Sequence, residues 1–137
     1  MPVLFTKADV RFRFDNANGI RQWIMVAVKK EGCAAHYIQF VFCSDVYLLE
    51  LNQQYLHHDT LTDIITFDYR DGKKISGDIF ISIDRVRENA GKFNVLFKEE
   101  LHRVMIHGIL HLCGYKDKDK KNKLLMTEKE NFYLERL

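Results

Sequence analysis

Few features of a secreted or membrane protein are found in this chain of 137 residues. Its three cysteines, Cys33, Cys43 and Cys113, include no C-x-x-C pair, which argues against a structural zinc knuckle and against a disulfide framework. No apolar run is long enough to span a bilayer, and charged residues stand near the N-terminus where a secretory signal has an apolar segment. We therefore expect a cytoplasmic protein with no membrane partner.

Segments that would divide the chain are also missing. Pro2 is the single proline, and no repeat or low-complexity linker interrupts the sequence. Hydrophobic residues make up 47% of the chain, which at this length is enough to bury a core without disulfides. We expect one domain over residues 1–137. The net charge of only +2 does not by itself indicate a nucleic-acid-binding protein.

Strand and helix patterns alternate along the chain and predict an α+β fold with a small mixed sheet packed by helices. Asp71 and Gly72 form a strong turn signal that should join the last two strands as a hairpin. Asn94 is expected to cap a long helix that carries the functional site at its end. The predicted strands are 10–14, 37–43, 64–69 and 77–82, and the predicted helices are 20–30, 45–55, a short helix from 84, 95–113 and 120–137. The apolar positions of the last helix are Leu124, Leu125, Phe132 and Leu134.

The long helix carries two histidines one turn apart, His107 and His111. This i, i+4 spacing projects both imidazoles from one helix face, where they can share a metal ion, although such pairs also arise by chance. Gly114 can turn the chain back over that face, which brings Asp117 to the place of a third ligand. Three protein ligands and an open position are typical of a catalytic zinc site. Asp119 is an alternative carboxylate.

Zinc proteases of the H-E-x-x-H type have a glutamate beside the first histidine, whereas this chain has Gly108. Residues 107–117 instead resemble the H-G-x-L-H-L-x-G-Y-D-H signature of the YbeY-type endoribonucleases. Residues 59–67 and the triplet 77–79 are similar to the T-D and G-D-I stretches of that family, and the order of elements agrees.

The resemblance implies a zinc-dependent, single-strand-specific endoribonuclease that acts in 16S rRNA 3′-end maturation and ribosome quality control. Its cofactor would be one Zn²⁺ per chain, and its partners ribosomal RNA and the small ribosomal subunit. Two positions depart from the family pattern: Asp117 stands where the family has its third histidine ligand, and Leu56 stands where it has an arginine. Because a carboxylate can also bind zinc, we expect Asp117 to keep the site.

Two further carboxylates, Asp63 and Asp78, lie near the ends of strands that should border the metal. Either could orient a water molecule or a ligand histidine, or could serve only to satisfy local backbone donors. His57 and His58 are expected to be exposed in the loop before Thr62.

Basic residues near the predicted site could contact RNA phosphates through charge alone, a contact that carries no sequence information. A charged run of this kind is also commonly a solvated surface. The candidate RNA-binding residues are Lys118, Lys120, Lys121, Lys123, Arg11 and Arg13, with Lys73 and Lys74 as a smaller cluster.

Three functions remain open at this point. The first is the metal-dependent endoribonuclease implied by the resemblance. The second is a ribosome-assembly protein that binds RNA and keeps a structural or vestigial metal. The third is an iron oxygenase, because two histidines and one carboxylate are also the ligands of non-haem iron sites.

Overall fold

The computed structural model describes residues 2–58, 60–72 and 74–137, which form four strands and five helices. The predicted α+β class is confirmed. In chain order the elements are β1 (Val3–Lys7), α1 (Ala17–Lys30), β2 (Ala34–Cys43), α2 (Asp45–Leu56), β3 (Ile64–Asp68), β4 (Lys74–Ser82), α3 (Ile83–Phe93), α4 (Phe97–Leu112) and α5 (Lys120–Leu134). None of the helices in the described part of the chain is long and apolar enough to cross a membrane.

The four strands form one mixed sheet in the order β1-β2-β4-β3. The pairs β1–β2 and β2–β4 are parallel, whereas β3 pairs antiparallel with β4, which confirms the predicted hairpin. One face of the sheet presents Phe40 and Ile79 to the main core under α1 and α4, and the other carries a small cluster with Leu48 of α2. The edge strand β3 therefore lies beside α4.

The predicted strand at 10–14 is wrong, because this segment has no regular structure and the first strand is β1. The alternation that suggested it has a different cause. Phe12 and Phe14 turn inward and pack against Phe42, with ring centroids 5.1 and 5.0 Å apart, while Arg11 and Arg13 are exposed. An extended segment that covers a core shows the same two-residue period as a strand without any partner strand.

Asn94 does not begin the long helix as predicted, since it ends α3. Its backbone is left-handed, with φ of 58°, a conformation that asparagine tolerates better than most residues. Leu96 is the N-cap of α4, which begins at Phe97. The helix before it, α3, is consequently longer than predicted.

Helix α4 approaches the sheet closely at Gly108. A Cβ atom at this position would lie 3.0 Å from side-chain carbons of both Ile64 and Ile79, tighter than ordinary packing allows. The missing side chain thus lets the helix settle onto β3 and β4. The face that carries His107 and His111 is held at the edge of the sheet as a result.

The C-terminal helix packs through a different face from the one predicted. Leu124 and Leu125 were expected to lie on its packed side, but they are 59% and 40% exposed. The buried residues of α5 are Met126, Glu130 and Tyr133, which are spaced as one helical stripe. A buried glutamate on this stripe indicates a polar role toward α4.

Candidate metal centre

His107 and His111 project from α4 onto the same side, as their spacing predicts. Their Nε2 atoms lie 3.0 Å apart, and both side chains are largely buried, with 22% and 29% of their surface exposed. Each ring uses its other nitrogen in a hydrogen bond. Nδ1 of His107 donates to the Glu130 carboxylate at 2.6 Å, and Nδ1 of His111 donates to the carbonyl oxygen of Tyr115 at 2.9 Å.

A Schellman turn ends α4 and directs the chain back over the histidines. Gly114 adopts φ of 108°, its N–H donates to the carbonyl of His111, and the Tyr115 N–H donates to the carbonyl of Leu110. Asp117 follows and places Oδ2 3.3 Å from His107 Nε2 and 3.4 Å from His111 Nε2. The sequence thus brings all three predicted ligands together.

The three converging atoms are all acceptors. Because the carbonyl and carboxylate partners fix the N–H protons on Nδ1, both Nε2 lone pairs face the Asp117 oxygen and each other. Such an arrangement is repulsive unless a metal ion lies between the atoms or one Nε2 takes up a proton. Tetrahedral zinc with nitrogen and oxygen ligands separates its ligand atoms by about 3.3 Å. The observed separations of 3.0 to 3.4 Å fit this geometry.

Glu130 was not predicted from the sequence, although it orients a ligand histidine. Besides accepting from His107, it accepts from Nη1 of Arg103 at 2.9 Å, and it is only 6% exposed. A carboxylate behind a ligand histidine fixes the ring and raises its basicity. Burial lowers the pKa of His107, but the hydrogen bond and charge of Glu130, together with the charges of Asp117 and Asp63, outweigh this effect and raise it.

Glu31, at the end of α1, anchors the turn that carries Asp117. Its carboxylate accepts hydrogen bonds from the hydroxyl groups of Tyr115, at 2.6 Å, and Tyr133. Burial opposes the charge, but these bonds and Lys129 prevail and lower the pKa of Glu31. The loop after Gly114 is therefore tied to both α1 and α5.

His107, His111 and Asp117 are called the ligand group below. A cavity of about 260 Å³ opens beside it. Asp63 lies in its wall together with His107 and Asp117, so the structure brings this predicted carboxylate to the site. Burial raises the pKa of Asp63 even though His107 opposes the shift. Two further residues of the wall, Glu100 and Arg103, were not predicted.

Asp78 is not brought to the ligand group. Its carboxylate accepts hydrogen bonds from the hydroxyls of Tyr37 and Tyr69, at 3.1 and 3.0 Å. Asp78 therefore lies on the opposite face of β4 from Gly77 and Ile79, which pack against α4. Asp119, the alternative ligand, caps α5 instead. Both of its oxygens accept from Asn122, at 2.8 and 2.7 Å.

The predicted RNA-binding residues are spread over two places. The four lysines are exposed along the loop after Asp117 and the first turn of α5. Arg11 and Arg13 are exposed on the segment before α1, where Arg13 lines a groove of about 1050 Å³ that also touches Glu100 and Arg103. His57 and His58 are exposed as expected, whereas Asp59 and Lys73 lie outside the described residues.

Comparison with known proteins assigns the family. The model of the family described as endoribonuclease YbeY matches residues 5–137. The chain belongs to this family. It is 53% identical over 123 residues to an endoribonuclease YbeY of Flavobacterium psychrophilum, covering 90% of this chain and 88% of that relative. The Parabacteroides distasonis relative of the same name is 47% identical over 131 residues, covering 96% of this chain and 92% of that relative.

A solved structure shares the fold of this chain. The solution structure of a Thermotoga maritima protein is 32% identical, with a TM-score of 0.68, and covers 97% of this chain and 87% of that protein. The relatives' name identifies a nuclease that hydrolyses RNA. Within this YbeY chain, Leu56 ends α2 with 44% of its surface exposed, and Arg103 is the arginine in the cavity wall.

Substitution of Glu130 by glutamine is expected to weaken metal binding, measured with Zn²⁺ as the probe, by about 10- to 100-fold, because hydrogen-bond partners of ligand histidines contribute about that much to affinity. Competition with a chromogenic chelator measures the change. Glu128→Gln, on an exposed position of the same helix, is the matched control. Equal zinc affinities for the two variants would show that the contact with His107 does not tune the metal site.

Proposed function

We propose that this YbeY chain is a zinc-dependent, single-strand-specific endoribonuclease that acts in the cytoplasm on the 3′ end of 16S rRNA and in ribosome quality control. The small ribosomal subunit would be its partner. The observation that carries this proposal is the group of three acceptor atoms within 3.4 Å of one another beside an open cavity. The donor set and spacing suit zinc, and the family supplies the RNA substrate.

When bound by His107, His111 and Asp117, zinc would acidify water and polarise a phosphoryl oxygen. The protein holds the three ligands in place and keeps the ring protons of the two histidines on Nδ1, away from the metal. Glu130 and the Tyr115 carbonyl do so for the two histidines. Asp63 stands in the wall of the cavity, where it can accept a hydrogen bond from water or position a substrate hydroxyl.

Asp117 adds a negative charge that a histidine ligand would not bring. The neighbouring Lys116 and Lys118 are exposed and partly offset this charge. A lower net charge at the metal makes bound water less acidic than in a site of three histidines. The pH at which activity increases should therefore be higher in this protein than in a relative with three histidine ligands.

Neutralising the exposed lysines after Asp117 is expected to weaken RNA binding without changing which RNA is preferred. Lys118, Lys120, Lys121 and Lys123 are changed together to glutamine, and affinity is measured over a range of salt concentrations. If each lysine contacts one phosphate, the slope of log affinity against log salt should fall by about 3. Lys29→Gln with Lys30→Gln, at the far end of α1, serves as the control. An unchanged slope would show that the tract is merely solvated.

The proposed function is tested by metal removal and restoration. Purified protein is analysed for its metals, stripped with a chelator and reloaded separately with Zn²⁺ or Fe²⁺. Cleavage of a single-stranded 16S rRNA 3′ precursor is compared with cleavage of its duplex. We expect zinc in the isolated protein and zinc-dependent cutting of the single strand. Binding without cutting would favour the assembly protein, and oxygen consumption with iron would favour the oxygenase.

A further inference from the structure

Glu100 is a buried carboxylic acid that the site as described does not use. It lies on α4 with 6% of its surface exposed and lines the cavity beside His107 and Asp117. Among the described residues, no hydrogen bond or ion pair reaches its carboxyl group, and Arg103, one turn further along, is engaged by Glu130 and Asn131. Buried polar groups are normally paired, so an unpaired one needs an explanation.

Glu100 lines two open spaces, the cavity beside His107 and Asp117 and the larger groove of about 1050 Å³. No fully enclosed polar side-chain atom among the described residues lacks a hydrogen-bond partner, so both unpaired Glu100 oxygens must keep some contact with solvent. One of the two spaces open to them is the cavity that also touches the ligand group. A molecule in this cavity can therefore contact the carboxyl group directly.

The other acidic groups of the cavity already have partners. Glu130 binds His107 and Arg103, Asp117 belongs to the ligand group, and Asp63 accepts the backbone N–H of Ile64. Among the described residues of this wall, Glu100 alone has a carboxyl group with no hydrogen-bond or ion-pair partner. It is the one acid in this wall that can act without giving up an existing bond.

The charge around Glu100 favours its neutral form. Asp63, just before β3, and Glu130 of α5 face it, and the Arg103 guanidinium only partly offsets them. Burial, followed by the charge of Asp63, raises the pKa of Glu100. His107 and Asp117 also line the cavity. A neutral carboxylic acid is better suited than another anion to approach a phosphodiester.

We propose that Glu100 is the general acid that protonates the leaving oxygen when RNA is cleaved beside the metal centre. This rests on the proposed nuclease function. Water adds its oxygen to phosphorus, and the bond from phosphorus to the bridging oxygen breaks. The Glu100 proton passes to that oxygen to give an alcohol, and the proton released by the attacking water restores Glu100 through solvent.

The test compares Glu100→Gln with Glu99→Gln, a neighbouring exposed position. Glutamine keeps the size of the side chain but cannot release a proton. Because a general acid contributes at least about 100-fold, kcat for ordinary RNA should fall by that factor in Glu100→Gln at unchanged zinc content. The alkaline decline of the rate, at which the acid is lost, should disappear with it. Glu99→Gln should behave as the wild type.

A sulfur substitution separates proton donation from a structural role. In RNA whose expelled bridging oxygen is replaced by sulfur, the leaving thiolate needs no proton. Glu100→Gln should therefore cut this RNA nearly as fast as the wild type. An equal loss on oxygen and sulfur substrates, or full activity on ordinary RNA, would overturn the proposal.

A measurement without turnover tests the same group. The infrared spectrum of metal-free wild type minus that of Glu100→Gln should show the carbonyl band of a protonated carboxyl near neutral pH. If loaded wild type cleaves no RNA, the nuclease function itself fails and so does the role of Glu100, whereas the band still reports whether the residue holds a proton. Active wild type without the band would overturn only the role of Glu100.

Discussion

Alanine in place of His107 or His111 is expected to remove the metal ion and to lower RNA cleavage by more than about 100-fold, while the fold remains. In the proposed site each histidine is one of three protein ligands among the described residues, and the remaining two would not hold zinc tightly. The core lies beneath these residues, so removing a side chain at its edge should lower Tm by less than about 5 °C.

Elemental analysis, RNA cleavage and thermal unfolding of the two variants measure these effects. His58→Ala, in an exposed loop, is the control that removes an imidazole without touching the site. Unchanged metal content in both His107→Ala and His111→Ala would refute the site. Loss of metal together with loss of the fold would show instead that the metal is structural.

Substitution of Asp117 by alanine is expected to release most of the metal, whereas histidine at this position should retain part of it. Oδ2 of Asp117 closes the triangle with the two Nε2 atoms, so alanine leaves a two-ligand site. Histidine restores the family's ligand, and with 38% of the Asp117 side chain exposed there is some room for the larger ring. RNA hydrolysis should follow metal occupancy across the series.

Asp119→Ala is the matched control for this series. The Asp119 carboxylate caps α5 through Asn122, so its removal should cost about 1 kcal/mol of stability and no metal. Full metal binding by Asp117→Ala, together with loss of the metal in Asp119→Ala, would show that Asp119 and not Asp117 is the ligand. Full activity in both variants would remove a carboxylate ligand from the mechanism.

Local pattern predicted most elements of the fold, but it missed β1 and misjudged three other features. The strand at 10–14, the cap at Asn94 and the apolar face of α5 all rested on residues whose local preferences suit more than one structure. Packing decided between the alternatives in each case. Phe12 and Phe14 cover Phe42 without pairing, and Asn94 ends one helix rather than starting the next.

The sequence by itself determined the ligand group, because His107, His111, Gly114 and Asp117 lie within eleven residues and their geometry follows from one helix and its turn. Only the tertiary structure decided what surrounds this group. Glu130 comes from another helix, α5, and Asp63 from the loop before β3. Such contacts join residues that are distant along the chain, so no local spacing encodes them. The burial of the Glu100 carboxyl without a hydrogen-bond partner likewise arises only when these elements pack together.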